Sequence, residues 1–271
     1  MTDPARSTFA EGIVRIQRPG LKGRLVPENR YLWRARRPEA RHRIICFPHA
    51  GGGANAYASW ARRLPGDIEL AAVQLPGRQN RIAEDPASDV GQLVKEIVAD
   101  LRPALTGPFS FFGHSCGSLL AFEVARALQL QGGPCPTWLF VSAQSTPEVI
   151  WAGPKLHDLP EREFHAAVLS LGGFDEEVSA DQEVMDELVP VVLADFQLWE
   201  RHRVATVPSL DCPITGLVGQ SDWRAPLETV EGWSEYTSAP FTTKVFPGGH
   251  FYLTEEGNDV PGFVSQTLLG A

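Results

Sequence analysis

The residues best suited to chemistry stand at Gly113-His114-Ser115-Cys116-Gly117, directly after the apolar run Phe109-Ser110-Phe111-Phe112. An amphipathic stretch over residues 118–131 follows them. A G-x-S-x-G set between a strand and a helix makes a sharp turn that lifts the serine hydroxyl clear of the backbone, and its glycines let neighbouring segments approach closely. Ser115 is therefore expected to be a nucleophile at the carboxyl edge of a sheet, at the positive end of the next helix. The turn favours the serine over its neighbour Cys116 for that role. A serine hydroxyl needs a base, and the seven histidines differ in context. His42 lies in a basic head, His157, His165 and His202 lie in or beside helical runs, and His114 points away from its neighbour in such a turn. His250 directly follows a terminal strand in Val245-Phe246-Pro247-Gly248-Gly249-His250-Phe251, where the glycines let a loop aim the imidazole over the sheet.

The base needs an acid to fix its tautomer and stabilise the imidazolium. Asp222 follows the apolar strand at 214–218 through Gly219-Gln220-Ser221, at the correct edge of the sheet. Asp211 precedes that strand, and Asp195 falls in a helical run. The order Ser115, Asp222, His250, with steps of 107 and 28 residues, resembles that of α/β-hydrolases. An oxyanion hole requires two fixed N–H donors. The amides of Cys116 and Ala50 are the expected pair. Ala50 sits in Phe47-Pro48-His49-Ala50-Gly51-Gly52-Gly53, which resembles the glycine-rich loop of esterases. No lysine follows these glycines as it would in a phosphate-binding loop.

The elements that must position these groups read as apolar strands at 44–47, 70–74, 109–112, 138–141 and 214–218, with a later strand at 243–246. Helical runs lie between them at 55–64, 88–105 and 118–131. The second carries Val90, Leu93, Val94, Ile97, Val98 and Leu101 at helical spacing, with Ser88 as its expected N-cap. Such alternation predicts an α/β fold, with a mostly parallel central sheet and helices on both faces. Residues 142–214 carry no strand signal, and helical runs at 159–171 and 181–199 predict an inserted helical lid over about 145–208. From Glu148 to Glu200 there are 13 Asp/Glu and 2 Lys/Arg, read as the wet face of that lid. Residues 1–30 lack periodicity and read as a basic, partly disordered leader. Residues 31–271 read as a single domain.

Composition sets the outer bounds. With 43% hydrophobic and 21% charged residues, the chain suits a globular protein with ample core and excludes collagen-like, coiled-coil or wholly disordered classes. The net charge of −9 argues against nucleic acid as a partner, since residues 1–43 carry 11 Lys/Arg against 4 Asp/Glu while the remainder is strongly acidic. Cys46, Cys116, Cys135 and Cys212 lack metal-pair spacing and are expected to be reduced thiols, with no metal and no cofactor. No run of about 18 apolar residues would span a membrane, and no apolar secretory core opens the chain. A cytoplasmic monomer away from the membrane is expected.

Phe47-Pro48-His49-Ala50-Gly51-Gly52, Val73-Gln74-Leu75-Pro76-Gly77-Arg78, Gly113-His114-Ser115-Cys116-Gly117 and Pro247-Gly248-Gly249-His250-Phe251 occur in that order. Together they resemble the type II thioesterases that accompany polyketide synthases and nonribosomal peptide synthetases, over about residues 31–270. The resemblance implies the α/β-hydrolase fold, a triad at Ser115, Asp222 and His250, and a helical lid over a narrow mouth. The implied reaction is hydrolysis of acyl groups stalled on the phosphopantetheine arm of an acyl or peptidyl carrier protein. Many relatives have methionine or another apolar residue where Cys116 stands, a departure that leaves its backbone amide available. Rival readings are a carboxylesterase or lipase, an acyltransferase, and a non-catalytic α/β-hydrolase scaffold. Phe164, Leu171, Phe174, Phe196 and Trp199 are candidates to close the acyl pocket, or else to form lid core. Acidic carriers call for a basic patch, for which Arg62, Arg63, Arg78 and Arg81 are the candidates.

Overall fold

The computed structural model describes residues 24–173, 176–204 and 209–270. Of the expected leader, residues 1–23 lie outside this set. Val26–Pro27 (β1) are already paired antiparallel with Leu32–Ala35 (β2), which in turn pairs antiparallel with Ile68–Val73 (β4). This short antiparallel edge had no clear signal, because a two-residue strand and a four-residue strand are too brief to show a period.

The parallel part of the sheet contains His42–Phe47 (β3), β4, Phe109–His114 (β5), Leu139–Ser142 (β6), Ile214–Gly219 (β7) and Phe241–Phe246 (β8). Their order across the sheet is β1-β2-β4-β3-β5-β6-β7-β8. Side chains alternate between faces along a strand, and two cores result. Ile45 and Phe47 of β3, with Phe109 and Phe111 of β5, face one core. Ile44 and Cys46, with Phe112, face the other.

Val90–Leu101 (α2) and Cys116–Leu130 (α3) cover the first face, while Trp60–Arg63 (α1) and Val260–Leu269 (α9) cover the second. The expected stripe of α2 is the buried one, from Val90 to Leu101. Its cap is Asp89 rather than Ser88: the Asp89 carboxylate accepts the Gln92 N–H at 2.7 Å. A carboxylate at this end also favours the helix dipole.

Between β6 and β7 the chain forms Pro147–Ala152 (α4), Glu161–Ser170 (α5), Glu176–Ala180 (α6) and the long Gln182–Arg201 (α7). Leu156, Phe164, Val168, Met185, Val189 and Val192 give this insertion a small core of its own. Leu227–Glu231 (α8) follows β7. No helix among the described residues is long and apolar enough to cross a membrane.

Candidate active site

Strand β5 runs into α3 through one residue, Ser115, whose φ is +53°. This left-handed conformation is strained for serine and marks a site where the fold imposes geometry. The turn is pinned by the Ser115 N–H donating to the Ser142 carbonyl at 2.8 Å and by the Ser118 N–H donating to the Ser115 carbonyl at 2.8 Å. The flanking glycines are required by space. A Cβ on Gly113 would stand 2.3 Å from Ser118 Cα, and one on Gly117 would stand 2.2 Å from the Phe47 carbonyl oxygen.

The loops after β7 and β8 meet beside the serine. The Ser221 N–H donates to the Gly248 carbonyl at 2.8 Å, and a Cβ on Gly219 would lie 2.0 Å from the Gly249 carbonyl oxygen. Contact at this range brings the two side chains together. His250 Nδ1 lies 2.8 Å from Asp222 Oδ2, and His250 Nε2 lies 3.1 Å from Ser115 Oγ. Asp222 Oδ1 is held by the backbone N–H groups of Arg224 at 2.9 Å and Ala225 at 3.2 Å. Both Asp222 and His250 are buried. A carboxylate facing Nδ1 selects the tautomer that leaves Nε2 free to accept a proton from the hydroxyl. All three residues singled out from sequence thus meet in one hydrogen-bonded row.

Ala50, Ser115 and Cys116 border the same small cavity of about 30 Å³, which Leu119, Phe196 and Trp199 also line. A second cavity, of about 520 Å³, also has Ser115 in its lining. His49, Gln79 and His250 line it, together with Val168, Leu171, Val192 and Phe196 of the insertion.

Residues 42–267 match the thioesterase domain family. The chain belongs to that family. It is 36% identical over 229 residues to the gramicidin S biosynthesis protein GrsT of Aneurinibacillus migulanus, covering 84% of this chain and 90% of that one. It is also 36% identical over 234 residues to the thioesterase PikA5 of Streptomyces venezuelae, with 86% and 83% covered. Among solved structures, the type II thioesterase BorB from the borrelidin biosynthetic cluster superposes with a TM-score of 0.79 at 36% identity, covering 88% of this chain and 97% of that one. The fold is the α/β-hydrolase fold, and the protein is a hydrolase.

The pocket candidates of this thioesterase separate into distinct places. Leu171 and Phe196 line the large cavity, and Phe196 and Trp199 the small one. Phe164 packs in the core of the insertion, edge-on to Phe196 at 5.7 Å between ring centroids. Phe174 lies outside the described residues.

The expected basic patch is overturned in part. Arg78 is buried and bidentate with Asp195, at 2.9 and 3.0 Å. Arg81 is buried as well, bidentate with Glu84 at 2.7 Å and stacked on the Tyr31 ring at 4.3 Å. Neither can meet a partner's surface. Arg62 and Arg63 remain exposed, with Arg63 paired to Asp259 at 2.9 Å.

The reading of the acidic residues of the insertion as a wet face also fails at two positions. Asp195 Oδ2 accepts the Gly51 N–H at 2.8 Å in addition to its Arg78 contact, tying α7 to the loop that carries Ala50. Glu200 accepts from the Leu156 and His157 N–H groups, from His157 Nδ1 and from Arg224. Both carboxylates are buried. A signal was present: Asp195 continues the spacing of Met185, Val189 and Val192, so it stands on the inward stripe of α7.

Two further imidazoles surround His250. The ring centroid of His114 is 5.5 Å from that of His250 and 5.9 Å from that of His49. Burial, then the charge of His250 and that of Arg78, lowers the His49 pKa to about 4. Burial, reinforced by His250 and His49, holds His114 well below its ordinary value. Both therefore stand neutral beside His250. Burial, with Asp195 nearby, pushes the Cys116 thiol well up, so it stays protonated and a poor nucleophile. Among the described residues no cluster of three or more His, Cys, Asp or Glu could hold a metal ion.

Proposed function

We propose that this thioesterase removes acyl groups from the phosphopantetheine arm of acyl or peptidyl carrier proteins through an acyl intermediate on Ser115. The observation that carries this reading is the row Asp222–His250–Ser115, with contacts of 2.8 and 3.1 Å, opening on a cavity of about 520 Å³. Its likeness to a gramicidin S biosynthesis protein and to a type II thioesterase from a borrelidin cluster favours carrier-bound substrates over free esters.

In this mechanism His250 takes the Ser115 proton as Oγ attacks the thioester carbonyl. Asp222 holds the imidazole in position and stabilises its charged form. The amides of Ala50 and Cys116 receive the developing oxyanion. The C–S bond then breaks, the thiol leaves with the proton from His250, and water activated by the same imidazole releases the acid and restores the serine. The helical insertion serves as the lid that shields this exchange from bulk solvent.

The test is acid release from a panel of acyl-loaded carrier proteins, with a simple ethyl ester of the same acid alongside. Release from carriers by the wild type, abolished in a folded Ser115→Ala variant, is the expected result. Turnover of the ester alone would make the protein a carboxylesterase. Unchanged turnover in Ser115→Ala would remove the serine from the reaction.

A further inference from the structure

The turn after β4 contains a second strained residue. Gln79 has φ +54°, and its side chain lines the large cavity beside Ser115 and His250. Its amide lies directly on Gly53, where a Cβ would meet Gln79 Nε2 at 2.6 Å. Yet Gln79 Oε1 is buried with no hydrogen-bond partner among the described residues. A glutamine carboxamide carries both donor and acceptor capacity, and burying it unmatched is costly. Residues held in uncommon backbone conformations with unmatched polar groups gather at binding sites. The neighbouring amide, that of Gln74, shows the contrast: its Oε1 accepts from Ala54 N–H at 2.9 Å and its Nε2 donates to the carbonyls of Leu75 and Arg78. Gln74 is fully used by the fold, whereas Gln79 lines the cavity while its oxygen is buried without a partner, so its carboxamide must turn to present that oxygen to a ligand.

That Gln79 shares this cavity with His250 decides which part of the substrate it meets. The base that protonates a leaving thiol must reach its sulfur, so the leaving arm runs through the cavity that His250 lines. A pantetheine arm brings two secondary amides, each with an N–H and a C=O. We infer that Gln79 binds an amide of that arm through its own carboxamide, and so selects pantetheine thioesters over thioesters of simple thiols. This rests on the reading of the protein as a thioesterase for carrier-bound acyl groups.

The probes are S-butanoyl-pantetheine and S-butanoyl-ethanethiol, which share an acyl group and differ only in the arm. Gln79→Leu keeps the volume and removes the amide; Gln79→Gly removes it while fitting φ +54° without strain. Both variants are expected to lose about five- to tenfold in kcat/KM for the pantetheine thioester, the worth of one neutral hydrogen bond. Both should keep wild-type kcat/KM for the ethanethiol thioester. An equal loss on the two substrates, or none on either, overturns the inference. A third probe, S-3-hydroxybutanoyl-ethanethiol, separates the sources of the polar group. A loss confined to this probe would place the contact on the acyl chain and overturn the assignment to the arm. A wild-type enzyme that hydrolyses neither these three nor an acyl-loaded carrier would overturn the functional reading itself, and this inference with it. One that hydrolyses the loaded carrier but none of the three would overturn this inference alone.

Discussion

In the sheet framework the side chains proposed to react stand at strand ends, fixed by backbone contacts that admit only glycine, such as Gly219 against Gly249. In the helical insertion the arrangement is reversed. A modest apolar core is fastened to the framework by buried charges, through Asp195 to Arg78 and Gly51 and through Glu200 to Arg224. A framework held by backbone packing keeps catalytic geometry even when a single side chain changes. An insertion held by ion pairs depends on each partner, because removing one leaves the other charged and buried.

The largest effect expected from this contrast is on rate alone. Asp222→Asn keeps an acceptor for the Arg224 and Ala225 N–H groups but no longer selects the productive His250 tautomer. A loss in kcat of about 10⁴ is expected, with an unfolding midpoint close to wild type. A large fall in stability would show that the framework, too, hangs on its side chains.

Next comes a change in stability. Asp195→Ala leaves the Arg78 guanidinium buried and removes the acceptor of Gly51 N–H, so a cost of about 3–5 kcal/mol in urea unfolding is expected. The double variant Arg78→Met with Asp195→Leu should recover most of it, since an apolar pair of similar volume can replace buried charges. If the double variant is no more stable than the single, the ion pair is not what fastens α7.

The two phenylalanines of the insertion sharpen the comparison within one region. Phe164→Ala opens its core and should cost about 3–5 kcal/mol while leaving the acyl-length preference unchanged. Phe196→Ala faces both cavities and should shift relative kcat/KM towards longer acyl groups by about tenfold. Acyl thioesters of graded length, assayed on both variants, check the division. A shifted preference in Phe164→Ala would reassign that ring to the pocket.

The same contrast explains how much was legible in the sequence. Ser115, Asp222 and His250 could be read because each follows a strand, buried for the first two and an exposed edge strand for His250, and parallel strands deliver their ends to one edge. The glycines at 113 and 117 added local chemistry that few other turns require. Arg78 and Arg81 misled because charge by itself points to the surface, and only the fold reveals the carboxylates that meet them at 195 and 84. Asp195 was half legible: its helical phase is inward, but its partner lies 117 residues away. Ser88 and Asp89 are both good N-caps, and which one serves depends on a backbone angle that composition does not set.

The last effect concerns the framework's own buried imidazoles. Burial, then His250 and Arg78, lowers His49 to about 4, and burial with its imidazole neighbours lowers His114. An unfolded chain titrates these groups near 6.5. Below that pH the unfolded state binds protons that the folded state refuses, so stability falls as pH drops from about 6.5 towards 4. The slope is at most about 1.4 kcal/mol per pH unit for each histidine. Lowered carboxylates act in a lower window. Glu84, held at about 2 by hydrogen bonds from Arg81 and Arg30, contributes stability above the ordinary glutamate pKa that is lost only as pH falls from there towards 2. The interval from 6.5 to 5 therefore isolates the imidazoles. Urea midpoints at pH 7, 6 and 5 should decline, and His49→Gln should flatten the decline by its share. A midpoint constant over this interval would mean that the cluster around His250 accepts protons as freely in the fold as in water.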